Sequence, residues 1–246
     1  MSWYSIMKRE VNSYFTSLTA YIVLLIFLVI SGYFFYTNLT MFVTFVGSDV
    51  KLGLWQFTFQ DMRRTMLLLL PLLTMRLFAE EKKLGTIELL YTHPIKDLAI
   101  IMGKYFACLF VLIVMLVLTF LYPILLKIVY SIELGPLVTG YLGLFLLGGA
   151  FIACGIFVSS LTENQIVAAM VTAGILILFW SIDWNEGIAG TKAMVVLHQI
   201  SLFEHFYSFP RGVIDISNIV YYLSITFFFL FLTLLSLESR QWRGKK

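Results

Sequence analysis

TAYIVLLIFLVISGYFFYTNL, residues 19–39, is an apolar run without a single charged side chain. About 20 apolar residues in a helix cross the hydrocarbon core of a bilayer, so this run predicts a transmembrane helix. It is longer than the apolar region of a cleavable signal peptide, and we expect none. The whole chain agrees: of its 246 residues 60% are hydrophobic and 13% charged, and the mean hydropathy is +0.92. Soluble domains carry more charge, so the composition predicts one all-α integral membrane domain, residues 1–246.

Six apolar runs predict six transmembrane helices, at residues 19–39, 62–79, 105–126, 137–160, 165–182 and 216–237. The second run is the weakest because Arg63, Arg64 and Arg76 lie near its two ends. A charge at the centre of such a helix costs about 2.5–3.5 kcal/mol. We therefore expect these arginines to snorkel towards the interfaces, which leaves every span without an ionisable residue at its centre.

The basic residues are distributed unevenly between the two sides of these spans. One side, with both termini and the loop after the second span, has Lys8, Arg9, Arg76, Lys82, Lys83, Lys96, Lys104, Arg240, Arg243, Lys245 and Lys246. The other side has Lys51, Arg63, Arg64, Lys127, Lys192 and Arg211. The positive-inside rule predicts a multi-pass protein of the inner (plasma) membrane with both termini in the cytoplasm. The net charge of +3 is too small to indicate a nucleic-acid partner.

Residues 1–17, which precede the first span, have an amphipathic pattern. One helical face holds Trp3, Ile6, Met7, Val11 and Tyr14, and the other holds Ser5, Lys8, Arg9, Asn12 and Ser13. This pattern predicts a helix that lies in the membrane interface. The alternative is a basic flank that only sets topology.

Small residues recur in the fourth predicted span, among them Gly148, Gly149, Ala153 and Gly155. In lipid, small residues let helix backbones approach closely, so we expect these four to pack against neighbouring helices. Lining a substrate pathway is the alternative for the same positions. Cys108 and Cys154 lie in apolar runs and are expected to be packing residues.

The segment 183–215 is the longest predicted outer loop. Its apolar stretches 193–197 and 200–203 are too short to span and predict re-entrant or interfacial helices. His198 and His205, with Glu204, invite a metal site. Their spacing matches no standard site, so no metal is expected.

RLFAEEKKLGTIELLYTHPI, residues 76–95, is the most charged stretch between two apolar runs. Gly85 permits a break in the helix, and Pro94 ends the segment that follows. Leu84, Ile87, Leu90 and Tyr91 recur at near-helical spacing, which predicts a short amphipathic helix within a cytoplasmic region 80–104. The sequence contains no GxxxxGK[ST] motif, so this chain is not expected to bind ATP through a P-loop.

These motifs resemble the permease subunit of ABC-2 type transporters. The resemblance rests on RLFAEEK (76–82), GTIELL (85–90), the threonine and proline at 92 and 94, and the GK at 103–104. SSLTENQ (159–165) and FPRGVID (209–215) agree as well, so it extends along essentially the whole chain. It is most similar to the branch with the gliding-motility-associated permease and the copper-processing permease of nitrous oxide reductase clusters.

The resemblance implies a six-helix transmembrane domain with an N-terminal elbow helix, to which Trp3, Lys8 and Arg9 would belong, and a coupling helix between the second and third spans. Two such domains, identical or different, would pair with two ATPase subunits, with an accessory or periplasmic subunit as a further partner. ATP and Mg would bind the ATPase, and this chain would export a substrate without cofactor, metal or catalytic residue of its own. The implied coupling residues are Glu80, Glu81, Gly85, Thr86, Ile87, Glu88, Leu89, Leu90, Tyr91 and Pro94. The three glutamates would face basic groups on the ATPase or on the elbow helix.

Other interpretations remain open at this point. The protein could anchor an ATPase complex that does mechanical or assembly work, and residues 80–83 could be a solvated helix end with locally paired charges. An ATP-independent transporter usually needs an ionisable residue within a span, which is not expected here. An intramembrane protease would need its glutamates and histidines to converge, whereas Glu80 and Glu81 are predicted on the opposite side from His198 and His205.

Overall fold

The computed structural model describes residues 3–46, 53–85, 96–128, 133–181 and 201–243, and within these ranges all regular structure is helical. The α-helices of these ranges are α1 (Trp3–Thr16), α2 (Leu18–Met41), α3 (Gly53–Thr74), α4 (Arg76–Lys83), α5 (Asp97–Thr119), α6 (Leu121–Lys127), α7 (Leu134–Leu161), α8 (Gln165–Ser181) and α9 (Ile216–Arg243). A π-helical turn, Phe42–Val46, extends α2. Two 3₁₀ turns, Glu204–Phe206 and Phe209–Arg211, precede α9.

Four helical stretches are long and apolar enough to cross a membrane: Leu18–Thr44, Asp97–Lys127, Leu134–Leu161 and Ile216–Ser239. A helix suits lipid because it satisfies its own backbone hydrogen bonds. They correspond to the first, third, fourth and sixth predicted spans. The helix α8 is apolar but has only 17 residues, and α3 carries charges in its middle. Four of the six predicted spans therefore meet the criteria for crossing.

Polar contacts at two levels fix the relative direction of α2 and α3. Asn38 Nδ2, near the end of α2, donates to Asp61 Oδ2 at 2.9 Å. Arg76, just past α3, donates to Thr19 Oγ1 at the start of α2, at 2.8 Å. Because late residues of α2 meet early residues of α3, the two helices run antiparallel.

The helix α7 runs parallel to α3. A Cβ added at Gly140 would lie 2.2 Å from the Phe59 ring, and one added at Gly155 would lie 2.0 Å from Thr74 Oγ1. Real Cβ atoms do not approach other atoms so closely, so both glycines permit a spacing that alanine would not. The two helices stay in register, because the two contact positions on α3 are as far apart in sequence as the two glycines on α7.

The helix α5 runs antiparallel to α7. Near the start of α5, the Tyr105 hydroxyl lies 3.0 Å from the position of a Cβ at Gly149. Near its end, Thr119 Oγ1 and the hydroxyl of Tyr141 are 3.1 Å apart. Taken with α2 and α3, these contacts make the four helices α2, α3, α5 and α7 alternate in direction.

The centre of the bundle is α7, which packs against α3, α4, α5, α8 and α9. Of its most apolar stretch 78% is buried, compared with 28% for the corresponding stretch of α2 and 22% for that of α9. The small residues of α7 lie at these contacts. A Cβ added at Gly148 would meet the side chains of Leu112 and Met66, and Ala153 is fully buried. The outer faces of α2 and α9 are exposed and apolar, as lipid-facing surfaces are.

The second predicted span differs from the structure at both ends. The helix α3 begins at Gly53, nine residues before the predicted Met62, and contains Pro71. It is interrupted at Met75, after which α4 begins. Pro71 removes the hydrogen bond to the carbonyl one turn before it and so weakens the helix that leads to this interruption. The prediction missed the early start because charged residues made that part of the sequence look extramembranous.

Ser159 of α7 satisfies the backbone groups that the break exposes. Its Oγ accepts hydrogen bonds from the backbone N–H groups of Phe78 and Ala79, both at 3.1 Å. The same hydroxyl donates to the carbonyl of Met75 at 2.9 Å. One side chain thus holds three backbone groups at the junction between α3 and α4.

The helix that contains the start of the third predicted span, 105–126, begins before it, at Asp97. The chain is interrupted at Phe120 and continues as α6, which contains Pro123. Pro123 has no N–H to donate to the carbonyl of Thr119 and its ring crowds that carbonyl, which accounts for the interruption.

We predict that Gly155→Ala lowers the stability of the folded protein by about 1–3 kcal/mol, because the added methyl group overlaps Thr74 and forces α3 and α7 apart. Gly174→Ala in α8 is the matched control, since nothing lies within 4 Å of a Cβ at that position. Alanine is the better helix former by up to about 1 kcal/mol, so the control should be neutral or stabilised. Melting curves in detergent would measure both, and equal midpoints for the two variants would contradict the close packing of α3 and α7.

Candidate functional site

A buried lysine joins three helices at the end of the bundle where α1 lies, which we call the α1 end. Lys104 of α5 is 1% exposed. Its Nζ donates to Glu81 Oε1 of α4 at 2.8 Å, to Glu10 Oε1 of α1 at 3.1 Å and to the carbonyl of Leu77 at 2.7 Å. An ammonium group has three donors, and here each has an acceptor. We call Lys104, Glu10 and Glu81 the ionic cluster.

Arg9 balances the charge of the ionic cluster. Its half-exposed guanidinium lies 3.2 Å from Glu10 Oε1 and 3.6 Å from Glu81 Oε1, so two cations face two carboxylates. Burial by itself raises the pKa of Glu10, but attraction and hydrogen bonding from Lys104 and Arg9 outweigh it and leave this pKa below its ordinary value. Glu10 is therefore ionised at neutral pH, and the cluster is held by charge-assisted hydrogen bonds.

Gly103 permits the contact between α1 and α5 that brings Glu10 to Lys104. A Cβ at Gly103 would lie 2.8 Å from Cβ of Ile6 and 3.0 Å from the carbonyl of Trp3. Any larger residue would push α1 away from α5. The GK pair at 103–104 thus combines a close approach with a buried cation.

A second polar contact holds the start of α2 to the junction of α3 and α4. The guanidinium of Arg76 donates to Ser17 Oγ at 2.6 Å, besides its bond to Thr19, and lies over the Tyr14 ring at 5.4 Å. The Tyr14 hydroxyl donates to the carbonyl of Leu73 at 2.9 Å. The end of α1 is therefore fixed to the end of α3.

The helix α4 ends in a glycine turn at the surface. Leu84 and Gly85 are exposed, and Gly85 has φ +68°, the left-handed conformation that glycine commonly supplies after a helix. Lys82 is buried and donates to the carbonyl of Ser160, whereas Lys83 is exposed. Glu81 and Lys82 are therefore not part of a solvated helix end with locally paired charges, because their partners lie on other helices.

The remaining predicted site residues have different outcomes. Glu80 is partly exposed on α4, Lys8 is exposed on α1, and Trp3 packs on Phe106 with ring centroids 5.5 Å apart. The amphipathic helix expected before the first span is present as α1, with Ile6 buried; its location at a membrane interface stays a prediction. Outside the described residues lie the predicted coupling residues Thr86, Ile87, Glu88, Leu89, Leu90, Tyr91 and Pro94.

Glu10 and the role of Lys104 were not predicted from the sequence. A signal for Glu10 existed, since it lies seven residues after Trp3 and four from both Ile6 and Tyr14, which places it on the apolar face of α1. A charge on an apolar helical face needs a buried partner. Lys104, the isolated charge early in α5, is that partner.

The opposite half of the bundle also contains a buried cation, Arg63 of α3. The prediction that it snorkels outward is wrong, because Arg63 is 1% exposed. It donates to the carbonyl of Phe203 at 3.0 Å and to the Tyr207 hydroxyl at 3.2 Å, and its guanidinium lies 4.7–5.4 Å from the rings of Phe203, Phe206 and Tyr207. Residues 201–211, which we call the outer segment, thus supply acceptors and aromatic faces that satisfy the charge inside the protein.

The helix α3 carries its charges in its middle, because it begins at Gly53, nine residues before the predicted span 62–79. Besides Arg63, it carries Asp61 and Arg64, which form an ion pair at 2.9 Å. Asp61 also accepts the hydrogen bond from Asn38. Arg64 is half exposed, so its side chain reaches outward, unlike that of Arg63.

The outer segment is also held by α7 and α9. Thr139 Oγ1 donates to the carbonyl of Phe209 at 2.6 Å, and the Tyr222 hydroxyl donates to the carbonyl of Leu202 at 2.7 Å. Gly212, with φ +85°, follows the outer segment directly. The outer segment forms 3₁₀ turns that pack on the bundle. The other expected re-entrant or interfacial helix, 193–197, lies outside the described part of the chain.

His205 belongs to the fold of the outer segment. Its Nδ1 lies 2.7 Å from Asn218 Oδ1, and its ring stacks on Tyr221 with centroids 3.9 Å apart. Among the residues with a described position, no group of three or more His, Cys, Asp or Glu could hold a metal ion. His198 lies outside those residues.

The alternating apolar helices define a membrane protein, and the comparison with known families agrees with that class. Residues 65–185, just under half of the chain, match the model of the family described as ABC-2 family transporter protein. The matched part includes Glu81, Lys104 and Ser159 but not α1 or α9. It supports an ABC-2 permease, without distinguishing the branch suggested by the motifs. No curated protein matches the chain.

We predict that Lys104→Met destabilises the protein by about 3–5 kcal/mol, because it leaves two largely buried carboxylates with only the half-exposed Arg9 as their cation. For a chain of this size the melting temperature should fall by roughly 6 °C or more. Lys83→Met is the control, since Lys83 is exposed at the end of α4. Similar melting temperatures for the two variants would contradict the ionic cluster.

We predict that Arg63→Gln loosens the outer segment, because the loss of a charged hydrogen bond costs about 1.5–3 kcal/mol. Amide hydrogen exchange in residues 201–211 should accelerate by roughly 10- to 100-fold. Arg64→Gln, at the adjacent half-exposed position, should leave that exchange unchanged. Equal protection in the two variants would show that Arg63 does not anchor the segment.

Proposed function

We propose that this protein is the permease subunit of an ABC-2 type transporter, which forms the membrane pathway while a separate ATPase subunit hydrolyses ATP. The family match supports the class of protein. The observation that carries the coupling role is the ionic cluster, in which one lysine ties α1 and α4 to the start of α5. The chain contains no P-loop motif of its own, which agrees with an external source of ATP hydrolysis.

In this proposal α3 and α8 complete six membrane passes. The 22 residues of α3 extend about 33 Å, which exceeds the roughly 30 Å of a hydrocarbon core. Its antiparallel contacts with α2 agree with a return across the same thickness. The inward-facing side would be the α1 end, with both termini and the region 80–104 on the cytoplasmic side of the membrane.

The coupling path would start in the segment that follows Gly85, which we propose contacts the ATPase. Movement of that segment would act on α4, and α4 cannot move independently of α1 and α5 without separating Glu81 from Lys104. The cost of separating buried charges is several kcal/mol, so the three helices would move together. Through the junction at Met75, the movement would reach α3 and the central helix α7.

The proposed role of the carboxylates is structural and not catalytic. Glu81 is bound by Lys104 and approached by Arg9, whereas His205 contacts Asn218 and Tyr221. These separate contacts favour a subunit without catalytic residues, cofactor or metal over an intramembrane protease. We further propose that two permease chains pair with two ATPase subunits in the inner membrane and export a substrate.

We predict that Glu88→Lys, or deletion of residues 84–91, abolishes co-purification of the ATPase or its stimulation while membrane insertion stays intact. The charge reversal removes a carboxylate that would face a basic group on the ATPase. The tagged chain would be isolated from its native membrane, its partners identified by mass spectrometry, and ATP hydrolysis measured.

Glu133→Lys is the matched control, because Glu133 is an exposed glutamate before α7, far along the chain from the coupling region. It should retain the ATPase. Normal co-purification and stimulation in the Glu88→Lys and deletion variants would overturn the coupling role. If the unmodified chain isolates no ATPase, the permease proposal itself fails.

A further inference from the structure

The hydroxyl of Ser159 is inserted into the backbone hydrogen bonding between α3 and α4. In an uninterrupted helix each N–H donates to the carbonyl four residues earlier, which for Ala79 is that of Met75. Here the N–H groups of Phe78 and Ala79 both donate to Ser159 Oγ, at 3.1 Å each. The same hydroxyl donates onward to the Met75 carbonyl at 2.9 Å, so it bridges two groups that a continuous helix would join directly. A side chain inserted in this way is a known cause of a helix kink.

Other buried hydroxyls of the bundle bond differently. Thr65 and Thr172 donate to the carbonyl four residues earlier in their own helices, at 2.9 and 2.7 Å. Ser160, equally buried and next to Ser159, donates to the carbonyl of Phe157 in its own helix at 2.6 Å. Serine and threonine in helices commonly bond in this way. The carbonyls of α7 are therefore a second set of acceptors for the Ser159 hydroxyl, which can leave the junction without losing its hydrogen bond.

The backbone at the junction is ready to close into one helix. Met75 has φ −54° and ψ −33°, which lie in the α region. When the Ser159 hydroxyl turns back to α7, the N–H groups of Phe78 and Ala79 can donate to the carbonyls four residues earlier. Every buried donor then has an acceptor in both arrangements, as burial requires. Two arrangements with equivalent hydrogen bonding differ little in free energy, which is what a two-state element needs.

We propose that the junction between α3 and α4 is a hinge with two states, selected by the hydroxyl of Ser159. With the hydroxyl inserted the helix is interrupted, and with the hydroxyl turned back to α7 the helices α3 and α4 become continuous. The helix α7 controls this choice, because Ser159 lies one turn after Gly155, where α7 touches Thr74 at the end of α3. Lys82 donates to the carbonyl of Ser160, and its flexible side chain keeps α4 on α7 in either state. The two states do not require an ATPase, whereas their use in coupling rests on the proposed function.

The first test removes the hydroxyl and follows the N–H groups that it held. The full chain, with any subunits that co-purify, would be placed in lipid nanodiscs, and amide hydrogen exchange of residues 76–80 measured by mass spectrometry. In Ser159→Ala the helix should close, so this exchange should stay within about twofold of the wild type. If the hydroxyl were only a fastening, two buried N–H groups would lose their acceptor and exchange would accelerate about tenfold or more. Ser160→Ala is the matched control and should leave the exchange unchanged.

The second test follows the position of α4. Straightening a kink of about 20° in front of this helix of 8 residues, roughly 12 Å long, moves its far end by about 4 Å. Electron–electron resonance distances from a spin label at Lys83 to labels at Ile166 of α8 and Ser239 of α9 would locate that end, with both buried cysteines replaced by alanine. At least one distance should shift by about 2–4 Å in Ser159→Ala, and neither in the control.

Three results would each overturn the hinge: faster exchange at residues 76–80 in Ser159→Ala, unchanged distances, or failure of this variant to fold. The last counts because the continuous helix needs no hydroxyl. In the complex with the ATPase, Ser159→Ala should retain the partner but lose the stimulation of ATP hydrolysis, and normal stimulation would overturn the role of the hinge in coupling. If the unmodified chain isolates no ATPase, the proposed function fails, while the exchange and distance measurements still decide on the hinge.

Discussion

The ammonium group of Lys104 has no access to water, and that constraint governs the arrangement of the helices at the α1 end. A buried cation must keep its acceptors, since separating them exposes an uncompensated charge to a low-dielectric interior. The acceptors come from α1 and α4, so neither helix can shift alone. The absence of a side chain at Gly103 makes this geometry possible, because it lets α1 lie directly on α5. Close packing at Gly103 and the ion pairs of Lys104 therefore stabilise the same contact between α1 and α5.

The helices α3 and α4 connect the two ends of the molecule. Arg63 anchors the middle of α3 to the outer segment, and Glu81 anchors α4 to the ionic cluster. Between them lies one interruption at Met75, whose backbone groups are held by Ser159 of the central helix. A continuous helix would transmit a displacement directly, whereas this junction couples it to α7. The polar contacts thus divide α3 and α4 into two rigid segments joined at a defined point.

Composition and apolar run length were sufficient to predict an all-helical membrane protein, because burial in lipid requires long apolar helices regardless of tertiary detail. The amphipathic pattern likewise predicted the helix α1. What the sequence could not reveal were contacts between distant residues. Arg63 was expected at the surface because its partners in the outer segment are 140 residues away along the chain. Glu10 was missed for the same reason, since its meaning depends on Lys104, 94 residues later. Local patterns determine the elements, and long-range pairing determines which charges can be buried.

The distance along the chain between Arg63 and its partners also affects biosynthesis. In the proposed six-pass arrangement α3 enters the membrane long before residues 201–211 are made, so the guanidinium of Arg63 lacks these acceptors while most of the bundle assembles. Insertion scales penalise such a charge, and α3 therefore depends on its neighbours or on an interfacial position until the last helices arrive. Completion of the outer segment is a late step of assembly. A quality-control system that recognises exposed intramembrane charge would consequently detect chains truncated before residue 201.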